Sequence, residues 1–216
     1  MTDAVLLTGG GDFSDPWHPF RETADRIAAL LTEAGLPTRV VDSADDFAFA
    51  VAAGPPLAIV QASNAYAPTP GDLLVLDAVA TQLRAGRPLL AVHAAACLFV
   101  DRPEWEAALG GRWVPELSWH PELGPAHVRL EPHPITAGLG DVEVTDERYT
   151  ELRVSPAAEV LAWHEEGGRR HPLAWAHRVD GARVVYDGLG HDTRSYDSPS
   201  RRTLLEREVR WLLGGD

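Results

Sequence analysis

Short runs of apolar residues alternate with amphipathic segments through the first half of the chain. Such runs are typical of parallel strands that are buried on both faces. We predict strands over residues 4–7, 38–42, 57–60 and 89–92. Between them apolar residues recur at helical spacing, which predicts helices over residues 20–34, 43–54 and 69–86. The alternation predicts an α/β fold with a mostly parallel sheet covered by helices on both faces.

The second half of the chain is less regular and contains more β structure. Its apolar runs predict strands over residues 127–131, 142–144, 160–163, 173–176 and 182–189. Asp180 and Gly181 predict a hairpin turn, and residues 105–109 and 199–213 are predicted helices. Because no repeat or long linker interrupts the chain, we predict a single domain over residues 1–216.

Polar side chains stand where several predicted strands end. Residues 9–18 follow the first strand and carry Trp17 and His18, Asn64 follows the third strand, and His93 follows the fourth. In open parallel sheets, ligands bind at the carboxyl ends of the strands. We therefore expect these side chains to line one cleft.

The composition and net charge of the chain argue against some classes of binding partner. The formal net charge is −13 and the sequence pI is about 5.0, which disfavours nucleic acid and anionic membranes as partners. The hydrophobic content of 45% is that of an ordinary soluble protein. The sequence has no run of 18 apolar residues and no signal-peptide pattern, so we predict a cytoplasmic protein.

The stretch 89-LLAVHAAACLF-99 carries the first candidate for chemistry. A buried strand, one polar residue and a helix of small residues from Ala94 predict a nucleophile-elbow arrangement with His93 at its apex. A histidine there is either a buried structural residue or a general acid, general base or metal ligand. Cys97 is the only cysteine, and one helical turn beyond His93 it is expected to face the sheet. Since G-x-S-x-G is also absent, no convincing nucleophile is present.

Further histidines and acids occur near other strand ends. Glu147 and Tyr149 follow one predicted strand, and His191 lies in the 188-GLGHD-192 segment after another. His120 and His133 are next to prolines in loops, where exposure is the usual outcome. No cofactor is predicted, but a divalent metal such as zinc is an alternative, held by His18, His93 and His191.

The motifs, taken in chain order, resemble those of the ThuA-like (trehalose-utilisation) family. They are His18-Pro19, the His93 elbow, 109-LGGRW-113 with His120 after it, 133-HPIT-136, Asp146-Glu147-x-Tyr149, Pro172 with Trp175, and the segment from Arg183 to His191. The resemblance implies a flavodoxin-like three-layer sandwich of the class I glutamine amidotransferase-like superfamily, in which the elbow cysteine has been lost. It also implies a role in carbohydrate metabolism.

The resemblance implies that His18, His93, Glu147, Tyr149 and His191 line the cleft, together with His120, while Trp17, Trp119 and Asn64 are added from their place in the sequence. His93, Glu147, Tyr149 and His191 are the expected catalytic residues, with His93 and Glu147 as an acid–base pair. Residues expected to contact substrate are His18, Trp17, Asn64, Trp119 and His120. The spacer 113–119 before His120 is longer than is usual in the family. His120 is therefore aligned with the family's motif less directly than the other cleft residues are.

Three functions remain open at this stage. The first is an enzyme that acts on a carbohydrate or an oxidised sugar by His/Glu acid–base chemistry. The second is a non-catalytic sugar-binding or regulatory module, and the third is a divalent-metal-dependent hydrolase. A glutaminase is excluded, because that chemistry needs a thiolate at the position of His93. The Trp-rich segment (residues 112–125) predicts either a lid over the cleft, which we favour, or the surface of a homodimer.

Overall fold

The computed structural model describes residues 3–64 and 68–215, which form eleven strands and five α-helices. The strands are β1 (Ala4–Thr8), β2 (Thr38–Val41), β3 (Ala58–Gln61), β4 (Leu89–Val92), β5 (Gly111–Arg112), β6 (Gly124–Leu130), β7 (Val142–Asp146), β8 (Arg153–Val154), β9 (Glu159–Glu166), β10 (Arg169–Val179) and β11 (Ala182–Asp187). The α-helices are α1 (Phe20–Glu33), α2 (Ala44–Ala52), α3 (Asp72–Arg84), α4 (Pro103–Leu109) and α5 (Pro199–Leu212). Short 3₁₀ helices cover Gly11–Phe13, His93–Cys97 and Thr193–Asp197.

Nine strands form one sheet in the order β2-β1-β3-β4-β11-β10-β9-β6-β7. The first five of these are mutually parallel, and their registers align one row of apolar side chains across the sheet. That row is Val40, Leu6, Ile59, Leu90 and Val185. Four of its members are almost completely buried, which explains why these strands read as unbroken apolar runs.

Helices cover both faces of the parallel half, as the sequence predicts. From β1 the chain crosses to β2 on one side and then returns past β1 to β3. Because such crossovers are right-handed, α1 and α2 must lie on opposite faces. α2 contacts α3, and α3 contacts α4, whereas α1 and α5 both contact the 3₁₀ helix Thr193–Asp197. None of the described helices has the length and apolar character that a membrane span requires.

The last four strands of the sheet run antiparallel, each to the one before it, from β11 to β7. The predicted hairpin joins β10 to β11, and both of its turn residues have positive φ, 50° at Asp180 and 87° at Gly181. Because direction alternates at every step, β7 points the same way as β11 and β4. The carboxyl ends of β1, β4, β7 and β11 therefore lie at one edge of the sheet.

The helix predicted to begin at Ala94 is wrong. Residues His93–Cys97 form a 3₁₀ helix, and Leu98 is already extended. The cause is competition for the backbone carbonyls that an α-helix would use. The carbonyl of His93 accepts from Tyr186 Oη at 3.0 Å, that of Ala95 accepts from Trp105 Nε1 at 2.9 Å, and that of Ala96 accepts from Trp113 N at 3.0 Å.

Candidate active site

His93 occupies the elbow directly after β4, in the left-handed backbone region with φ of 46°. Few non-glycine residues adopt this conformation, and those that do are enriched at functional sites. The side chain is 1% exposed, and its Nδ1 lies 2.8 Å from the carbonyl oxygen of Gly188. Because a carbonyl only accepts, Nδ1 carries a hydrogen and Nε2 points the other way. That Nε2 lies 3.5 Å from Oε2 of Glu147.

Glu147 reaches His93 because Asp146 fixes the end of β7. The buried Asp146 carboxylate accepts from the backbone N–H of Glu147 at 2.9 Å, of Gly190 at 2.7 Å and of His191 at 3.0 Å. These bonds join the end of β7 to the segment after β11. Glu147 and His191 are therefore held on the same side of the cleft.

His18 enters the same cluster from the loop after β1. Its Nδ1 lies 2.8 Å from Oδ2 of Asp15, and Oδ1 of Asp15 also accepts from the backbone N–H of Trp17 and of His18. The carboxylate thus fixes both the local turn and the orientation of the imidazole. His18 Nε2 is buried and has no hydrogen-bond partner among the described residues.

Three more side chains surround the Glu147 carboxylate. His120 Nδ1 lies 3.2 Å from Oε1 of Glu147, and His191 Nε2 lies 3.7 Å from the same oxygen. Tyr149 stacks on His93 with ring centroids 4.3 Å apart. The ring of His191 is 4.8 Å from that of His18, so the histidines enclose the carboxylate on several sides.

The pair formed by His93 and Glu147 shifts the pKa of each partner. Burial alone lowers the pKa of His93, but contact with Glu147 and the charge of Asp146 outweigh it, so that the pKa is raised above 6.5. Burial raises the pKa of Glu147, but contact with His93 and the charges of His191 and His120 together outweigh it, so that the pKa falls below 4.5. The charged forms of both groups therefore stabilise one another.

His191 is shifted in the opposite direction from His93. Burial and the positive charge of His93 lower the pKa of His191 below 6.5. The pKa values of His93 and His191 thus lie on opposite sides of the ordinary histidine value. The shift favours the protonated form of His93 and the neutral form of His191. Such a separation assigns acid and base roles at near-neutral pH.

The structure brings together most of the predicted site residues. His18, His93, His120, Glu147, Tyr149 and His191 form the cluster described above. Trp17 and Trp119 lie outside it and are 61% and 47% exposed. Trp119 is fixed by backbone bonds to Thr150, which hold the Trp-rich segment against the chain after β7.

The sequence analysis also singled out Asn64, His133 and Cys97. Asn64 is buried at the end of β3, and no contact among the described residues joins its side chain to the histidines. The default exposure expected of His133 is wrong: its side chain is 6% exposed and packs against Trp211 on α5. Cys97 is buried, as expected.

Sequence reasoning missed Asp15 and Gly188 and gave no separate role to Asp146. Asp15 had a detectable signal, because it is three residues before His18 in a loop rich in turn residues, and Asp side chains bond locally in such loops. Gly188 acts through its carbonyl and Asp146 through contacts with a distant segment. Neither feature is visible in a sequence pattern.

Three donor atoms, one each from His18, His93 and Glu147, lie within 4.8 Å of one another. Two imidazoles and one carboxylate are a donor set that suits a divalent transition metal. The metal alternative predicted from the sequence had His191 in place of Glu147. The geometry favours Glu147 as the third donor.

Comparison with known protein families shows to which family this chain belongs. The sequence profile of the ThuA family, described as trehalose utilisation, matches residues 18–212. The chain belongs to the ThuA family. The predicted resemblance is thereby confirmed. No curated protein matches the chain by sequence.

Solved structures show the same fold. A ThuA-like protein from Parabacteroides merdae ATCC 43184 is 17% identical, with a TM-score of 0.78 over 99% of this chain and 90% of its own. One from Bacteroides uniformis ATCC 8492 is 16% identical, with a TM-score of 0.74 over 97% and 90%. A β-galactosidase from Rahnella sp. R3 is 14% identical, with a TM-score of 0.63 over 97% of this chain but 31% of its own. The predicted flavodoxin-like α/β class is confirmed.

Proposed function

We propose that this ThuA-family chain is an enzyme that transfers a proton to or from a carbohydrate or an oxidised sugar. The observation that carries the proposal is the buried pair of His93 and Glu147, with His191 close to the same carboxylate. Proton transfer by positioned side chains needs an acid and a base whose pKa values straddle the working pH. In support of such a pair, the pKa of His93 is raised above 6.5 by Glu147 and that of His191 is lowered below 6.5 by burial.

Each residue of the cluster has a separate role in this proposal. His93, held protonated by Glu147, is the general acid, and the neutral His191 is the general base. Tyr149 keeps the His93 ring in place by stacking on it. Glutaminase chemistry is not proposed, because the elbow carries an imidazole and the buried Cys97 lies beyond it.

A carbohydrate is the proposed substrate for two reasons. The family is described as acting in trehalose utilisation. In addition, the exposed Trp17 and Trp119 each directly precede a histidine of the cluster, His18 and His120. Exposed indole rings next to the residues of a polar site are suited to stack on the apolar face of a sugar ring.

Deuterium exchange tests the proposal without knowledge of the final product. The purified protein is incubated in D₂O with a panel of mono- and disaccharides and their keto derivatives, and NMR follows both product formation and loss of C–H signals. Wild-type protein is expected to exchange or convert at least one sugar. His93→Gln and Glu147→Gln are expected to lose this activity, whereas His127→Gln, which changes an exposed histidine on β6, retains it.

The result also decides between catalysis and binding. If calorimetry detects sugar binding but neither exchange nor product forms with wild-type protein, the enzyme proposal fails. The chain would then be a sugar-binding or regulatory module on an amidotransferase-like scaffold, which the fold alone equally allows.

A metal-dependent hydrolase is the second candidate, favoured by the three donor atoms of His18, His93 and Glu147 within 4.8 Å. In that case a metal-bound water would be the nucleophile. Hydrolysis of a glycoside or ester that requires added Zn²⁺ and stops with a chelator supports this candidate. Activity that is unchanged by the chelator supports metal-free acid–base chemistry.

A further inference from the structure

In two histidines of the cluster, the Nδ1 atom points away from the Glu147 carboxylate and is hydrogen-bonded to an acceptor elsewhere in the protein. His18 Nδ1 lies 2.8 Å from the Asp15 carboxylate, and His93 Nδ1 lies 2.8 Å from the Gly188 carbonyl. Both Nδ1 atoms therefore donate, which leaves both Nε2 atoms as acceptors when the rings are neutral. Metal-bound histidines in proteins almost always have such a carboxylate or carbonyl partner on the second nitrogen.

The two Nε2 atoms face a common space together with the Glu147 carboxylate. Both are buried and make no hydrogen bond within the described part of the chain. The side chain of His18 is 9% exposed and that of His93 is 1% exposed. Buried acceptors without donors are costly unless a cation or a proton lies between them. The two Nε2 atoms and the Glu147 carboxylate, which are all potential metal ligands, therefore face the same space. When the imidazole rings are neutral, no hydrogen lies between them.

We propose that His18 Nε2, His93 Nε2 and the Glu147 carboxylate bind one divalent cation of the zinc class. Ligands at tetrahedral angles around zinc lie about 3.4 Å from one another, given metal–ligand distances of roughly 2.1 Å. The 3.5 Å between His93 Nε2 and Glu147 Oε2 matches this spacing. All three ligand atoms lie within 4.8 Å of one another, so side-chain rotation would have to bring the widest pair about 1.4 Å closer to reach this spacing.

The donor set selects the class of metal. Two imidazole nitrogens and one carboxylate favour Zn²⁺ over Mg²⁺ and Ca²⁺, which prefer oxygen ligands. Three protein ligands leave a fourth position open, which is typical of catalytic rather than structural zinc sites. His191 lies beside Glu147 and is then the imidazole that remains able to exchange a proton with whatever occupies that position.

Asp15 has a specific part in this site. Its carboxylate fixes the hydrogen of His18 on Nδ1, so that the lone pair is on Nε2. An Asn in its place would keep an oxygen for the backbone N–H groups of Trp17 and His18. That oxygen also lies 2.9 Å from Nδ1 and can still accept from it, but the negative charge is lost and the amide N–H takes the place of Oδ2, so the ring hydrogen is held less firmly on Nδ1 and the lone pair less firmly on Nε2, the ligating atom. Asp15→Asn therefore separates metal binding from the acid–base pair, which it does not touch.

The test is calorimetric titration of chelator-stripped protein with Zn²⁺, with elemental analysis of the dialysed complex and Co²⁺ absorption as a report of tetrahedral ligation. Wild-type protein is expected to bind one ion per chain. His18→Ala is expected to abolish that binding, and Asp15→Asn to weaken it by about 10- to 100-fold, the usual effect of losing a partner of a metal-bound histidine. His127→Gln, which removes the exposed cluster of His127, Asp141 and Glu143, should leave it unchanged. Circular dichroism confirms that each variant is folded.

Two results overturn the proposal: no stoichiometric Zn²⁺ on wild-type protein, or equal binding by wild-type protein and His18→Ala. Loss of the ion in His127→Gln alone would also overturn it, by assigning the ion to the surface. The inference rests on the second candidate of the proposed function, because a cation on His93 Nε2 takes the place of the proton that metal-free acid–base chemistry needs there, and it needs no sugar substrate. Deuterium exchange without Zn²⁺ binding refutes the metal site only, and Zn²⁺ binding without exchange or turnover of any sugar refutes the enzyme proposal only.

Discussion

His93 Nε2 and Glu147 Oε2 lie 3.5 Å apart although four strands separate β4 from β7 in the sheet. The antiparallel half of the sheet must therefore curl back towards the parallel half, as the twist of a large sheet allows. Asp146 fixes this return, because its carboxylate bonds to the backbone of Gly190 and His191 after β11. The pair depends on this long-range closure and on no local motif.

Glu147→Gln is expected to lower the pKa of His93. Burial lowers this pKa and contact with Glu147 is the largest influence that raises it, so removal of the negative charge leaves burial opposed only by Asp146 and the Gly188 carbonyl. NMR titration of the His93 imidazole measures the change. Glu143→Gln, an exposed change on the same strand β7, is the matched control and should leave the His93 pKa in place. An unchanged pKa in Glu147→Gln would show that the pair does not form.

His164 is expected to make stability fall as the pH drops below 6.5. Burial lowers its folded-state pKa below 6.5, the value expected of the unfolded chain, and its Nε2 donates to the Tyr149 carbonyl at 2.9 Å. Between the two pKa values the unfolded chain takes up a proton that the folded chain does not, so acid favours unfolding.

His164→Gln tests this because the amide can replace the donor without titrating. Urea unfolding at pH 7 and pH 5 is compared for both proteins, and groups common to them cancel in the difference. Wild-type protein should lose more stability than the variant on acidification. Parallel losses would show that His164 does not contribute.

Arg201→Met is expected to destabilise the fold by about 3–5 kcal/mol, the usual cost of removing one partner of a buried ion pair. Arg201 and Asp187 are both fully buried, with Nη2 and Oδ2 2.7 Å apart. The substitution would remove the cation that faces Asp187 Oδ2 at the end of β11, while the bond from the backbone N–H of Leu189 to Oδ1 remains. Arg210→Met on the exposed side of α5 is the control, with an expected change within about 0.5 kcal/mol. Chemical denaturation measures both, and equal effects would contradict the prediction.

Gly190→Ala should destabilise the protein more than Gly138→Ala. Both glycines have positive φ, 112° and 75°, which is unfavourable for alanine. A Cβ at Gly190 would also overlap the hydroxyl of the buried Tyr196, whereas Gly138 faces open space. The added overlap is expected to cost about 1–3 kcal/mol. Denaturant midpoints for the two variants give this difference directly, and similar midpoints would refute the steric argument.

Periodicity predicted the parallel half well because its strands are buried on both faces and its helices have one apolar face. It failed after His93, where three small residues have helix-forming character but side chains and backbone from elsewhere take their carbonyls. The candidate cluster likewise contains some residues whose place the sequence predicts and some contacts that it does not predict. His18, His93 and Glu147 all follow predicted strands, whereas the catalytic role of Glu147 was implied by the family resemblance. The bonds of Asp146 require the folded sheet.

The cluster draws its residues from the segments after β1, β4, β5, β7 and β11, and four of these, the loops after β1, β4, β7 and β11, span both halves of the large sheet. No contiguous fragment of the chain can therefore assemble it. A ligand held by all four loops would act as a clamp across the fold, and its binding free energy would add to the free energy of unfolding of the whole chain. The midpoint of thermal unfolding then becomes an assay for occupancy, by which unknown ligands can be found before any reaction is known.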